Sequence, residues 1–135
     1  MFYNGIGVDM KYLNKWLKWV INKPSRCHYS IHNEGVYCGE TFYNVDENGY
    51  ASMDIKLNSE SRQMGLGTAA LTYATNIAFE EGGAKVVYVD PNTENLAAFK
   101  LYEKLGFVKK SVPGGINADD TYREIRVEDW MKKEL

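Results

Sequence analysis

The chain has 135 residues, of which 44% are hydrophobic and 25% charged, and its formal net charge is −2. This composition is ordinary for a globular protein, and the length predicts a single domain, 1–135, with a core of its own. The nearly balanced charge argues against nucleic-acid binding, and no run of about 18 apolar residues is present that could cross a membrane. No secretory signal is visible, so we expect a cytoplasmic protein in which Cys27 and Cys38 are reduced.

The first half of the chain predicts an irregular arm, a helix and three strands. Residues 1–8 carry two glycines and no periodicity, whereas apolar residues recur at helical spacing over 9–22, before Lys23-Pro24. The three strands are predicted at 26–32, 36–45 and 50–57. Because their connections are too short for a crossover, we expect an antiparallel meander.

The second half alternates helices and strands. The predicted elements are a helix at 65–81, a buried strand at 85–90, a helix at 95–105, a strand at 107–110, a loop at 111–120 and a strand at 121–127. The order α-βββ-α-β-α-β-β predicts an α/β (α+β) fold with a mixed, mostly antiparallel central sheet and flanking helices.

The segment Arg62-Gln63-Met64-Gly65-Leu66-Gly67-Thr68 precedes the predicted helix and indicates an anion site. The first turn of a helix leaves about four N–H groups without internal partners, and the helix dipole adds positive charge there. A glycine-rich helix start is therefore typical of phosphate binding.

Several interpretations of this segment compete. A Walker loop is excluded because Thr68, and not Lys, follows the last glycine. A dinucleotide fingerprint is satisfied by Gly65, Gly67 and Ala70, but it requires a tight turn directly after a parallel strand. Glycines that merely permit close helix packing are a third interpretation.

A fourth interpretation rests on a family resemblance. Arg62, Gly65 and Gly67 match Q/R-x-x-G-x-G/A, the acetyl-coenzyme A signature of the GNAT superfamily of N-acyltransferases. Residues 95–107 (Asn-Leu-Ala-Ala-Phe-Lys-Leu-Tyr-Glu-Lys-Leu-Gly-Phe) resemble its N-x-x-A-x-x-x-Y-E-K-x-G-F element. The resemblance runs from about His28 to Val127 and is nearest to the ribosomal-protein alanine and spermidine acetyltransferases.

The resemblance implies an acyl-CoA N-acyltransferase fold with a shortened N-terminus. It also implies an N-acetyltransferase that uses acetyl-CoA as co-substrate, needs no metal and is compatible with a homodimer. The acceptor would be a primary amine: a polyamine, a small amine, an aminoglycoside or a protein N-terminus. A non-catalytic acyl-CoA-binding sensor or partner module is the alternative.

The resemblance also implies a cofactor site. Pantetheine would lie in a gap between the strands at 50–57 and 85–90, and the pyrophosphate on the N–H groups of 63–68. The implied cofactor residues are Ile55, Leu57, Arg62, Gln63, Met64, Gly65, Leu66, Gly67, Thr68, Asn95, Phe99 and Tyr102. For Asn95, capping of the following helix is an equally physical role.

The predicted catalytic residues are Tyr102 and Asp54. Tyr102 would act as the acid for the leaving thiolate, unless it is only a core aromatic. Asp54 is the candidate base, with Glu40 next and a water chain as a further alternative. Many family members have Glu where this chain has Ser52, which keeps the non-catalytic alternative open.

The two histidines do not predict a metal site. His28 and His32 lie four apart on a predicted strand, which places them on one face but about 13 Å apart. That separation is too large for one metal ion, so we expect surface or hydrogen-bonded histidines.

Overall fold

The structure is a computed structural model that describes residues 17–23, 26–58, 66–91 and 96–132. The strands in these ranges are β1 (Leu17–Lys23), β2 (Arg26–Asn33), β3 (Val36–Val45), β4 (Tyr50–Leu57), β5 (Val86–Val89), β6 (Val108–Lys109) and β7 (Arg123–Arg126). The helices are α1 (Leu66–Glu80), α2 (Leu96–Lys104) and α3 (Val127–Lys132).

The strands form one seven-stranded sheet in the order β1-β2-β3-β4-β5-β7-β6. Only β4 and β5 are parallel, and all other neighbours are antiparallel. Strands β1 to β4 form a meander, and α1 supplies the crossover that a parallel β4–β5 pair requires. The predicted mixed, mostly antiparallel sheet is therefore confirmed.

One face of the sheet, the helical face, packs against the helices. Side chains alternate along a strand, and on this face they are buried with apolar residues of α1 and α2. The main buried cluster includes Tyr29, Tyr43, Ala51, Met53, Leu71, Ala74, Val87, Val89, Tyr102, Ile125 and Trp130. The other face, the polar face, carries His28, Ser30, Glu40, Phe42, Ser52, Asp54, Tyr88 and Glu124.

The predicted helix at 9–22 is wrong over residues 17–22. These residues belong to β1, which pairs antiparallel with β2, while 9–16 lie outside the described residues. Apolar residues at 17, 19, 20 and 21 fit a helical and a strand period about equally, and the partner strand decides between them. The register shifts between Trp19 and Ile21, where Trp-Val-Ile breaks strict alternation.

The later elements agree with the prediction to within a few residues, with one addition. The last strand ends at Arg126, and Val127 begins α3, which the sequence analysis did not predict. Trp130 of α3 is fully buried and donates its indole N–H to the Asn76 side-chain oxygen at 2.7 Å. This hydrogen bond fastens the end of the described chain to α1.

Gly39 holds β3 close to the end of β4. It pairs with Ile31 on one side and with Leu57 on the other, and its φ is +155°. A Cβ at this position would run into the Lys56 carbonyl oxygen and lie 2.8 Å from the Leu57 Cα. The obstacle is backbone, which cannot rotate away, so the position requires glycine.

We therefore expect Gly39→Ala to lower the free energy of unfolding by about 2 kcal/mol or more, because the added methyl group strains the β3–β4 pair. Urea denaturation followed by circular dichroism measures the change. Gly114→Ala is the matched control, since its Cβ meets nothing within 4 Å, and it should change stability by less than about 0.5 kcal/mol. Equal stabilities of the two variants would contradict the argument.

Candidate active site

Strands β4 and β5 separate after a short stretch of pairing. Their ladder consists of Tyr50↔Val86, Ala51↔Val87 and Ser52↔Tyr88. Beyond it β4 continues to Leu57, while β5 ends at Val89. A cavity of about 470 Å³ lies at this divergence and is lined by Phe42, Ser52, Met53, Asp54, Ile55, Lys56, Tyr88, Val89, Asp90, Pro91, Ala98 and Tyr102. We call this cavity the cleft.

The backbone of β4 alternates between its two neighbours. The Asp46 N–H donates to the Tyr50 carbonyl and the Asn58 N–H to the Cys38 carbonyl, both at 2.9 Å. In an antiparallel pair, every second residue exchanges backbone hydrogen bonds with the partner strand. The backbone N–H and C=O groups of even-numbered β4 residues therefore bond to β3, and those of odd-numbered residues point toward the β5 side. The odd-numbered residues beyond the ladder, Met53, Ile55 and Leu57, therefore direct their N–H and C=O groups away from β3, and Met53 and Ile55 line the cleft.

The amino end of α1 lies at the open end of this divergence. A Cβ on Gly67 would lie 3.1 Å from Leu57 Cδ1 at the end of β4 and 3.5 Å from Leu101 Cδ2 on α2. The first amides of α1, at Leu66, Gly67 and Thr68, have no intrahelical acceptor because of helix geometry. The structure thus places the described start of α1 against the end of β4.

Asp54 lines the cleft, and its carboxylate is held in place by its own strand. Its Oδ1 accepts a hydrogen bond from the Ile55 N–H at 2.8 Å, one of the groups directed toward the cleft. Thr41 Oγ1 donates to the Asp54 carbonyl at 2.8 Å on the β3 side. Burial raises the pKa of Asp54, although the Ile55 N–H and the charge of Lys56 act in the opposite direction.

Tyr102 enters the cleft from α2 and is only 2% exposed. Ala98, one turn earlier on the same helix, lines the cleft beside it. Burial, followed by the negative charge of Asp54, raises the pKa of Tyr102. Tyr102 therefore stays protonated at neutral pH. Because the charge of Asp54 contributes to the pKa of Tyr102, the two predicted catalytic groups influence each other electrostatically.

A row of side chains crosses the polar face at the closed end of the cleft. Ser52, Tyr88 and Glu124 occupy paired positions on β4, β5 and β7. Burial raises the pKa of Tyr88, and the Ser52 hydroxyl acts in the opposite direction. Glu124 is 5% exposed and accepts a hydrogen bond from the Tyr122 hydroxyl at 2.9 Å. The Tyr122 ring stacks on the Tyr88 ring, with 5.4 Å between the ring centroids.

The sequence analysis missed Phe42, Tyr88 and Asp90 as residues of the cleft. The signal available for Tyr88 and Asp90 was their place at the carboxyl end of a parallel strand, where α/β sheets bind ligands. Phe42 faces the cleft from β3, where it pairs with Asp54 of β4. The sequence alone does not give the register of β3 against β4, so this position was not predicted.

The other predicted site residues are distributed as follows. Arg62, Gln63, Met64, Gly65 and Asn95 lie outside the described residues. Phe99 does not line the cleft, and its ring lies 5.1 Å beneath the Arg123 guanidinium carbon. The alternative base Glu40 also lies outside the cleft lining, where its carboxylate accepts a bond from the Tyr37 hydroxyl at 3.1 Å and lies 3.7 Å from His28 Nε2.

Two general features of the described residues bear on function. In ranges 17–23, 26–58, 66–91 and 96–132, no group of three or more His, Cys, Asp or Glu side chains is placed to bind a metal ion. Over the same ranges, no helix combines the length and apolar character needed to span a membrane.

Comparisons with solved structures identify the fold. The aminoglycoside acetyltransferase AAC(6')-Ib with coenzyme A and kanamycin is 21% identical at a TM-score of 0.68, with 83% of this chain and 73% of that chain covered. The spermidine N-acetyltransferase from Vibrio cholerae with CoA and spermine is 17% identical at 0.66, with 78% and 68% covered. The ribosomal L7/L12 alpha-N-protein acetyltransferase RimL is 12% identical at 0.64, with 76% and 61% covered.

These structures confirm the predicted fold, and coenzyme A occurs in two of the three. No curated protein sequence matches the chain. The family model described as the acetyltransferase (GNAT) family matches residues 3–107, which include β4, α1, β5 and α2. The predicted family and enzyme class are confirmed, and the chain belongs to the GNAT family of acetyltransferases.

Proposed function

We propose that residues 1–135 form one acyltransferase domain that moves an acetyl group from acetyl-CoA to a primary amine. The observation that carries this proposal is the divergence of β4 and β5 next to the start of α1. It offers a channel with backbone donors and acceptors on one side, and Tyr102 and Asp54 line it. The cofactor and the reacting groups would meet there.

The cofactor would add to the sheet as a strand does. Its pantetheine amides would bond to the backbone of Ile55 and Leu57, which lie beyond the described ladder between β4 and β5. Its pyrophosphate would lie against the amides of Leu66, Gly67 and Thr68, where the dipole of α1 favours negative charge. Arg62 would lie beside the pyrophosphate, as the sequence motif predicts.

The transfer requires three things of the protein. The amine must lose a proton before its lone pair attacks the thioester carbonyl carbon, and Asp54, directly or through a water, would accept that proton. A backbone N–H of β4 would polarise the carbonyl oxygen as negative charge develops. When the C–S bond breaks, the Tyr102 hydroxyl would donate to the departing thiolate, which leaves as the thiol of coenzyme A.

The raised pKa of Tyr102 limits its role. A hydroxyl that is harder to deprotonate than a thiol stabilises a thiolate by hydrogen bonding more readily than by giving up its proton completely. We therefore propose that Tyr102 acts mainly as a hydrogen-bond donor in the transition state, and that the thiolate takes its final proton from Tyr102 or solvent as the products separate.

The cleft favours a cationic acceptor. Asp54 and Asp90 contribute carboxylates, and Phe42 and Tyr88 contribute aromatic rings that attract ammonium groups. Lys56, on the same wall, offsets part of the negative charge. Kanamycin and spermine, which appear in two of the related structures, are therefore suitable first acceptors.

A non-catalytic acyl-CoA-binding module is the second candidate, and Ser52 favours it. This residue stands where many family members carry Glu, and in the structure its hydroxyl donates a hydrogen bond to the Asn44 carbonyl at 3.4 Å. Such a module would keep the cofactor channel and lack the proton acceptor.

Binding and turnover separate the two candidates. We expect acetyl-CoA and CoA to raise the melting temperature, because they bind only the folded protein, while NAD and ATP change it far less. An enzyme should also release CoA from acetyl-CoA when kanamycin or spermine is added, which a thiol reagent detects. An increase in melting temperature with acetyl-CoA but no turnover across a panel of primary amines would favour the binding module. A larger increase in melting temperature with NAD than with acetyl-CoA would contradict both candidates.

Tyr102→Phe should slow the chemical step of acetyl transfer by roughly 10²-fold, because the thiolate loses its hydrogen-bond donor. Single-turnover measurements are needed, since slow product release would hide the effect. The melting-temperature shift with CoA should be unchanged. Tyr73→Phe is the control, because it removes the hydroxyl of a buried tyrosine outside the cleft. Equal single-turnover rates in the two variants would remove Tyr102 from the mechanism.

Asp54→Asn should slow acetyl transfer by about tenfold or more and stabilise the fold at neutral pH. Burial raises the pKa of Asp54, so the folded state disfavours its charged form. Its contribution to stability is most favourable below its ordinary pKa of 3.8 and is lost as pH rises through the folded-state value. Asn keeps an acceptor for the Ile55 N–H but cannot become charged.

Rate profiles between pH 5 and 9 and urea denaturation at pH 7 test this expectation. The wild type should lose activity as pH falls through the raised pKa of Asp54, and the variant should lack that step. Glu47→Gln is the control, because it removes an exposed carboxylate outside the cleft. An unchanged rate and pH profile in Asp54→Asn would transfer the role of base to Glu40 or to water.

A further inference from the structure

Three tyrosine rings lie side by side on the polar face at the closed end of the cleft. The Tyr88 ring of β5 stacks on the Tyr122 ring, with 5.4 Å between the centroids. It also meets the Tyr50 ring of β4, at a centroid distance of 6.4 Å and an interplanar angle of 54°. We call Tyr50, Tyr88 and Tyr122 the aromatic band. Because Tyr88 lines the cleft, the band continues the cleft toward the start of β4.

The middle ring of the band is supported from one side. Tyr122 is fully buried, and its hydroxyl donates to Glu124 Oε1 at 2.9 Å. Glu124 is itself 5% exposed and is paired with Tyr88 across β5 and β7. Tyr50 and Tyr88 are only half-buried, so parts of both rings are open to solvent. The band therefore presents a supported aromatic surface beside the cleft.

Carboxylates lie on two sides of this surface. Burial raises the pKa of Tyr88, and the negative charges of Asp46 and Asp90 raise it further. Asp46 belongs to the turn between β3 and β4, and Asp90 follows the end of β5. Asp46 is held in place because its Oδ1 accepts hydrogen bonds from the N–H groups of Asn48 and Tyr50, at 2.8 and 3.0 Å.

The carboxylates of this region have no ion-pair partner in the part of the chain that the structure describes. Neither of the two ion pairs found there includes Asp46, Asp90 or Glu124. Arg126, which shares a row of the sheet with Tyr50, is paired with Glu128 at 3.2 Å. A largely buried carboxylate such as Glu124 is stabilised when a positive charge is nearby. The region is therefore suited to a cationic ligand.

Strand geometry gives the distance between the aromatic band and the proposed proton acceptor. Successive residues of a strand advance by about 3.3 Å, so Ser52, which pairs with Tyr88, is about 7 Å from Asp54 along β4. Tyr50 is about 13 Å from Asp54 on the same face. A cation in the corner between the Tyr50 and Tyr88 rings would thus lie roughly 7–13 Å from an amine that reacts beside Asp54.

We propose that the corner between Tyr50 and Tyr88 is a subsite for a second ammonium group of the acceptor, so that linear diamines and polyamines are preferred. A cation within about 6 Å of a tyrosine centroid is attracted by the face of the ring. Asp46 and Asp90 add charge of the opposite sign. The inference rests on the proposed function, because it places the reacting amine beside Asp54. The corner itself takes no part in the transfer.

The test compares octylamine with octamethylenediamine, which share a chain length and differ in the second amino group. Calorimetric titration of each amine into the complex with CoA gives its dissociation constant, and titration of CoA alone gives the cofactor affinity. Tyr88→Leu removes the ring and keeps an apolar side chain. Asp46→Asn removes the charge and keeps the Oδ1 acceptor. Glu47→Gln, which removes the neighbouring exposed carboxylate, is the matched control.

We expect the wild-type complex to bind octamethylenediamine about tenfold more tightly than octylamine, because only the diamine places a charge in the corner. This preference should fall to about twofold or less in Tyr88→Leu, decrease several-fold in Asp46→Asn and stay unchanged in Glu47→Gln. The affinities for octylamine and CoA should change little. If Tyr88→Leu fails to bind CoA, Asp46→Asn and its control decide the outcome.

Equal affinities of the wild-type complex for the two amines would overturn the subsite. Equal loss of both affinities in Asp46→Asn, or no amine binding to the wild-type complex, would also overturn it. The proposed function fails in a different way, because the titrations involve no transfer. A diamine preference that depends on Tyr88 and Asp46, without release of CoA from acetyl-CoA, would contradict the transfer and support the subsite. Transfer to both amines without a difference in affinity would do the reverse.

Discussion

A strand at the interior of a sheet must satisfy its backbone on both sides, and the described part of β4 pairs with its two neighbours over very different lengths. Its bonds to β3 run the full length of the strand, while its ladder with β5 ends at Ser52. Backbone polar groups shielded from water are costly without partners. In the proposed function, an extended ligand with amide groups would pair with the part of β4 beyond Ser52, and α1, α2 and the polar face surround that part of the strand.

The Asp54 carboxylate and the Ile55 N–H already illustrate this demand. The carboxylate satisfies a donor that faces the cleft, but it does so at the cost of partial burial of its own charge. A ligand carbonyl arriving at Ile55 would compete for the same N–H. Loss of that bond would raise the pKa of Asp54 further, because the N–H favours the charged form. In the proposed function, cofactor contact and the basicity of Asp54 would thus be linked through one shared donor.

The elements predicted correctly are those whose residue pattern along the chain favours the same secondary structure as their contacts in the folded protein. Turn residues and alternation placed β2, β3 and β4, and glycines placed the ends of α1 and α2. The motifs at 62–68 and 95–107 indicated the family, and the family model that matches residues 3–107 includes both. The strand β1 was missed, since its apolar residues fit two periods and only pairing with β2 distinguishes them. The strand end at Asp90 was a signal for the cleft, but its hydrogen bond with Thr121 could not be predicted, because Thr121 lies 31 residues away and no local pattern reports such a contact.

The crossover through α1 has a consequence for how the site comes into existence. The meander from β1 to β4 is built from contacts between neighbours in sequence, so we expect it to form before the β4–β5 pair, whose two strands are separated by the whole of α1. A chain synthesised as far as α1 would carry the phosphate turn but no second wall for the channel. Affinity for the cofactor should consequently appear late during folding, as a property of the completed sheet, and the ligand would capture the assembled protein without serving as a template for its meander.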